Sequence, residues 1–216
     1  MTEIYSFLAR GGIVMIPIAL GSVIALAIFL ERLWSLQHRK ILPDGLFDRI
    51  MRLAEKRNYE EALTTCMESP SPLGRILAVG IRRRGMSRSE IKEILEEAGR
   101  REVSSMLRFV EALGVTASVE PLLGLLGTVT GMIQVFQQVV ASARHGAIDP
   151  GQLASGIWEA LITTAAGLVV AIPAFVAYRY LISRTDSLAS EMEESALAIA
   201  DELSSDSAKS KRGDAD

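Results

Sequence analysis

The stretch Leu122–Phe136 reads LLGLLGTVTGMIQVF. It lies in an uncharged run from Leu122 to Ala143, longer than the roughly 20 residues a helix needs to cross a bilayer core. A plain anchor would be Leu, Ile and Val throughout. Here Gly124, Gly127 and Gly131 recur at helical spacing, with Thr128 and Thr130 between them. Gly127 and Gly131 form a GxxxG pair, which lets another helix backbone approach closely in lipid. Gly124, Thr128, Gly131 and Val135 share one helical stripe. That stripe is small and slightly polar, so it is expected to face protein or a water-filled space. The reading is a membrane helix built for packing or for a pore.

Working outward, the composition fits a membrane protein. Hydrophobic residues make up 49% of the chain and mean hydropathy is +0.27, yet 23% of residues are charged. Such a mixture predicts apolar spans separated from charged soluble parts. A net charge of -3 and a pI near 5.6 give no footing for nucleic-acid binding. Cys66 stands alone, so no internal disulfide framework or Cys-rich metal site is available. With His38 and His145 as the two histidines, no His-based metal centre is expected either. P-loop, GxGxxG, HExxH and GxSxG patterns are absent from the sequence. The chain is therefore expected not to be an enzyme and to need no cofactor.

Two further spans flank the central one. Ile13 to Leu30 is about 18 residues without charge, near the minimum for crossing. Pro17 near its start suits a first helical turn or a kink. Arg10 resembles the positive region of a signal peptide, but the run ends in Glu31-Arg32-Leu33-Trp34, with no small-residue cleavage site. A retained helix is the expectation, with Arg32 and Trp34 as interfacial anchors. The last span, Ile157 to Ile182, carries an acid, Glu159, in its outer part. That carboxylate is near enough to the end to reach the interface. Against this, Ala160, Thr163, Thr164, Gly167 and Ala171 make a second small, polar-tinged stripe beside it. Intramembrane acids are rare and face a bundle interior or cavity, and the pattern favours a functional Glu159.

Between Gln37 and Glu111 lie helical patterns interrupted at Pro43, at Ser69-Pro70-Ser71-Pro72 and at Gly85. Ser87-Arg88-Ser89-Glu90 reads as a capping box. From Ile91 to Phe109 the periodicity stays helical without a strong breaker, which predicts one long helix running on into the central span. Arg82-Arg83-Arg84 reads as a solvated helix end, where cations are favoured, rather than a headgroup or nucleic-acid patch. Basic residues set the orientation: Arg32, Arg39, Lys40, Arg100, Arg101, Arg108, Arg179 and Arg184 lie on one side, Arg10 and Arg144 on the other. The fold class is an all-α membrane protein, three transmembrane helices with long helical extensions into a cytoplasmic helical domain. The expected order begins with a short periplasmic N-terminus (1–12), the first span (13–33), the cytoplasmic helical domain (34–111) and the second span (112–143). A periplasmic loop (144–152) and the third span (153–182) follow, then a cytoplasmic C-terminal helix (183–203) marked by Leu188, Met192, Ile199 and Leu203. A disordered tail (204–216) closes the chain.

GLLGTVTGMIQVF followed by GIWEALITTAAGLVVAIP is similar to the paired motifs of the ExbB/TolQ proton-channel family, related more distantly to the flagellar stator protein MotA. SPLGRILAVGIRRRG also resembles that family's cytoplasmic segment. The likeness covers most of the chain, and three spans fit it better than the four of MotA. It implies a multi-pass protein of the bacterial inner membrane, N-terminus periplasmic and C-terminus cytoplasmic. It further implies a homopentamer in membrane lipid around a smaller single-span ExbD- or TolR-like partner, acting on a TonB- or TolA-like effector. The implied work is energised outer-membrane import or envelope maintenance, driven by proton motive force.

The resemblance also implies roles by position. Glu159 falls on the family's intramembrane acid in GIxEAL, Thr164 on its pore-lining threonine in the third span and Thr128 on the threonine of the second. Gly124, Gly127, Gly131 and Gly167 are the packing residues. Spacing favours Thr163 as the direct neighbour of Glu159, about 40° away around the helix against about 140° for Thr164; the preference for Thr164 rests on likeness. Glu120 departs from the family pattern, where a small residue is common. It either sets the charge at the cytoplasmic mouth or sits in water at the helix end, and the second reading is favoured. A competing class is a non-conducting membrane scaffold of an envelope or motility complex. A solute transporter is disfavoured by a single acid in three spans with no internal repeat.

Overall fold

The computed structural model describes residues 12–143 and 150–213. Expectations that rest on residues 1–11, 144–149 and 214–216, including the basic residues Arg10 and Arg144, lie outside the described residues. Among the described residues every regular element is an α-helix: α1 (Met15–Ser35), α2 (His38–Ile41), α3 (Leu46–Glu55), α4 (Tyr59–Glu68), α5 (Pro72–Arg82), α6 (Arg88–Ala143) and α7 (Pro150–Gly213). Three of them, α1, α6 and α7, are long and apolar enough to cross a membrane. Pro17 is the third residue of α1, where its missing N–H costs nothing. Helix α6 starts at the expected capping box: the Ser87 N–H donates to Glu90 Oε2 at 2.8 Å, and Ser87 Oγ accepts from the Glu90 N–H at 3.4 Å. From there it runs through the central span without a break.

The chain divides into two compact units, residues 1–31 with 109–180 and residues 32–108 with 181–216. In the second unit the breaks fall where the local chemistry dictates. Gly45 and Gly85 have φ of +71° and +93°, a region that favours glycine. Ser71 Oγ caps α5 by accepting from the Gly74 N–H at 3.1 Å, with Pro72 in the first turn. Ile50, Leu73, Ile76, Leu77, Ile81 and Ile91 are fully buried there, as are Leu188, Ile199 and Leu203 of α7. Each such side chain contributes about 1.5–3 kcal/mol. The amphipathic pattern of the C-terminal segment is thus a core face. Arg88 pairs with Asp201, and Arg75 holds Glu102 through two hydrogen bonds, tying α5 to α6.

Helix α7 continues to Gly213, within the 204–216 stretch expected to be a polar tail.

The first unit holds the apolar parts of α1, α6 and α7. Val14, Met15 and Ile18 of the α1 region are buried, with Leu123 of α6 and Ala166 and Val170 of α7 packed on them. The outward side chains are large and apolar: Leu122, Leu125, Val129, Ile133 and Phe136 on α6, and Leu161, Leu168, Ile172 and Val176 on α7, are all exposed. A surface of this extent marks a lipid or protein contact.

Candidate functional site

Helices α6 and α7 meet along a seam of small residues. A Cβ added to Gly131 would lie 2.9 Å from the Ala160 Cβ, and one on Gly124 would lie 2.9 Å from both Thr163 O and Thr164 Cα. A Cβ on Gly127 would overlap the Thr163 hydroxyl, and one on Gly167 would stand 2.6 Å from Glu120 O. As residue numbers rise on α6 they fall on α7, so the two helices are antiparallel. All four glycines chosen as packing residues are therefore at helix contacts. The contact is within one chain: the two glycine stripes cover each other, because the close approach that glycine permits is taken up by the neighbouring span.

The threonines sit on or beside the seam. Thr163 is buried and its hydroxyl donates to Ala160 O at 2.7 Å. Thr164 reaches across the seam and donates to Gly124 O at 2.9 Å. Thr128 is half-buried, its hydroxyl turned back to Leu125 O at 2.7 Å. Each hydroxyl spends its hydrogen on a backbone carbonyl and keeps lone pairs free to accept. Glu159 is half-buried, and a Cβ on Gly12 would lie 3.0 Å from its Oε1. The structure thus brings Thr163 and Thr164 together on the seam and turns the Glu159 carboxyl toward Gly12, at the start of the first span.

Glu120 was read as a solvated residue at a helix end, and this is overturned. It lies inside α6, is 2% exposed, and its Oε2 is buried with no hydrogen-bond partner among the described residues. The cause is Gly21 on α1: any Cβ there would overlap the Glu120 carboxyl, so the glycine provides the room. A signal was present in the sequence, since Glu120 is the one ionisable side chain between residues 112 and 143. Among the described residues no group of His, Cys, Asp and Glu is placed to hold a metal ion.

The sequence pattern of the MotA/TolQ/ExbB proton channel family matches residues 68–194. The chain belongs to that family. An ExbB-like biopolymer transport protein of Synechocystis is 35% identical over 179 residues, covering 81% of this chain and 68% of that protein. A biopolymer transport protein ExbB1 of Vibrio cholerae is 29% identical over 191 residues, 84% of this chain and 80% of the relative. The Tol-Pal system protein TolQ of Haemophilus influenzae is 41% identical over 88 residues, 41% of this chain and 37% of that protein. Three apolar helices in a member of the MotA/TolQ/ExbB family indicate a bacterial inner-membrane protein.

Proposed function

We propose that this subunit passes protons by way of Glu159 and couples their passage to mechanical work on the cell envelope. It acts with a single-span partner of the ExbD or TolR type and an effector of the TonB or TolA type. The observation that carries the reading is the place of Glu159, a half-buried carboxyl in an apolar helix, one residue before the Ala160–Gly131 contact of the seam. A neutral carboxylic acid costs far less in apolar surroundings than a carboxylate. Such a group can take a proton from one side and release it to the other when its surroundings change. Moving one charge through the membrane potential releases roughly 2.3 kcal/mol per 100 mV. The threonine lone pairs offer acceptors for water along the seam, at Thr128, Thr163 and Thr164.

Directed work needs a moving element. The glycine seam of α6 and α7 offers a smooth contact along which helices can shift with little steric cost. By the family likeness, five copies of the chain surround the partner's helices, and the exposed apolar face of α6 and α7 supplies contact area for neighbours and lipid. The N-terminus and the 144–152 loop face the periplasm in this reading, and residues 34–111 and the C-terminal helix face the cytoplasm.

The test is a substitution series read as energy-dependent envelope function beside yield of assembled complex. Glu159→Gln keeps shape and hydrogen bonding but carries no titrating proton, so it should assemble normally and lose nearly all function. Glu159→Asp should retain part, and Thr128→Val should fall between wild type and the glutamine variant. A well-assembled Glu159→Gln protein with full activity would leave a scaffold role in place of proton transfer.

A further inference from the structure

Glu120 has no part in the mechanism above, yet it is the more deeply buried of the two span acids. Its Oε2 lacks a hydrogen-bond partner among the described residues, and its carboxyl occupies the space left by Gly21. A carboxylate placed so would be an uncompensated charge, which costs several kcal/mol or more. A protonated carboxyl can be held there. On α1 the facing stretch 13–30 has no ionisable side chain, and neither has 160–177 of α7. The nearest such groups along the helices are Glu111 on α6, Glu31 on α1, and Glu159 and Tyr178 on either side of Gly167 on α7, Tyr178 being packed on Gly114.

The placement relative to Glu159 adds a second observation. Gly12 faces Glu159 and Gly21 faces Glu120, and between those glycines lie the buried Val14, Met15 and Ile18, packed on Leu123, Ala166 and Val170. Gly167, the residue of α7 against Glu120, is eight positions beyond Glu159, about 12 Å along the axis at 1.5 Å per residue. Two carboxyls therefore stand at the two ends of one apolar plug. We propose that Glu120 is a second proton-binding site on the subunit's own route, separated from Glu159 by this plug, so that protons pass only when α1 shifts against the seam. The proposal rests on the proton-channel reading of Glu159 and gives it an inward station.

Infrared spectra titrated with pH, taken on the complex purified with its native partners, read the proton directly. Wild type should show a protonated-carboxyl band at neutral pH that disappears in Glu120→Gln and persists in Glu159→Gln. Glu120→Asp should keep the band at a shifted frequency. In reconstituted vesicles Glu120→Gln should lower proton uptake about tenfold or more with unchanged complex yield, and Glu120→Asp should move the pH midpoint of uptake. Absence of a band that depends on Glu120, or wild-type uptake in Glu120→Gln, overturns the proposal. Wild-type uptake in Glu159→Gln would instead overturn the reading beneath it, and the Glu120 band, measured separately, would then mark a structural acid.

Discussion

Thr164 makes one hydrogen bond across the seam, to the carbonyl of Gly124. Thr164→Val keeps the volume and removes that bond, so thermal melts in mild detergent should show a loss of about 1 kcal/mol. A loss of proton-driven work beyond what this small destabilisation explains would give the hydroxyl a role in transfer; equal losses would make it structural. Cys66 is another residue whose behaviour follows from its place. Burial pushes its thiol up to about 11, so the reactive thiolate is scarce at neutral pH. A water-soluble thiol reagent should leave Cys66 untouched in the folded protein and modify it after denaturation; rapid labelling of the native protein would contradict the packing. The single cysteine was legible in the sequence, but its burial was not, because periodicity does not tell which face of a short helix meets a neighbour. Glu120 was misread because local sequence does not show which neighbouring helix covers a position. Its fate is decided by Gly21, about a hundred residues earlier in the chain.

At the scale of helices, the glycine seam carries sharper expectations. A Cβ on Gly124 would press on the backbone of Thr163 and Thr164, which cannot yield as a side chain can. Gly124→Ala should destabilise the fold by about 1–3 kcal/mol. Gly99→Ala, in the same helix but with open space around it, should stabilise by roughly 0.5–1 kcal/mol. A pair of melts separates packing from propensity: similar shifts for both variants would mean the seam is looser than described. Between α1 and α6 the corresponding pair is Gly21→Ala, expected to destabilise, and Gly21→Ala with Glu120→Ala, expected to recover most of that loss because the carboxyl no longer occupies the space. No recovery would place Glu120 elsewhere. The seam was visible beforehand as two small-residue stripes at helical spacing, as was the Ser87–Glu90 capping box, since both are local patterns. Which stripe pairs with which is a tertiary fact, and the stripes chose each other within the chain.

For the whole molecule, the direction of insertion and the passage of protons each carry an expected outcome. Since Cys66 is shielded, orientation is read from Thr64→Cys in a Cys66→Ala background, at an exposed position on α4. It should react with an impermeant reagent in inverted vesicles and not in intact spheroplasts, and a cysteine at Ala147 should do the reverse. The opposite pattern would invert the topology. The central claim is that the Glu159 carboxyl carries protons, and the most direct measurement is proton uptake by vesicles holding the purified complex under an imposed membrane potential. Wild type should acidify the vesicle interior, while Glu159→Gln, assembled to the same extent, should reduce the initial rate to that of protein-free vesicles. An unchanged rate in the glutamine variant would contradict the account.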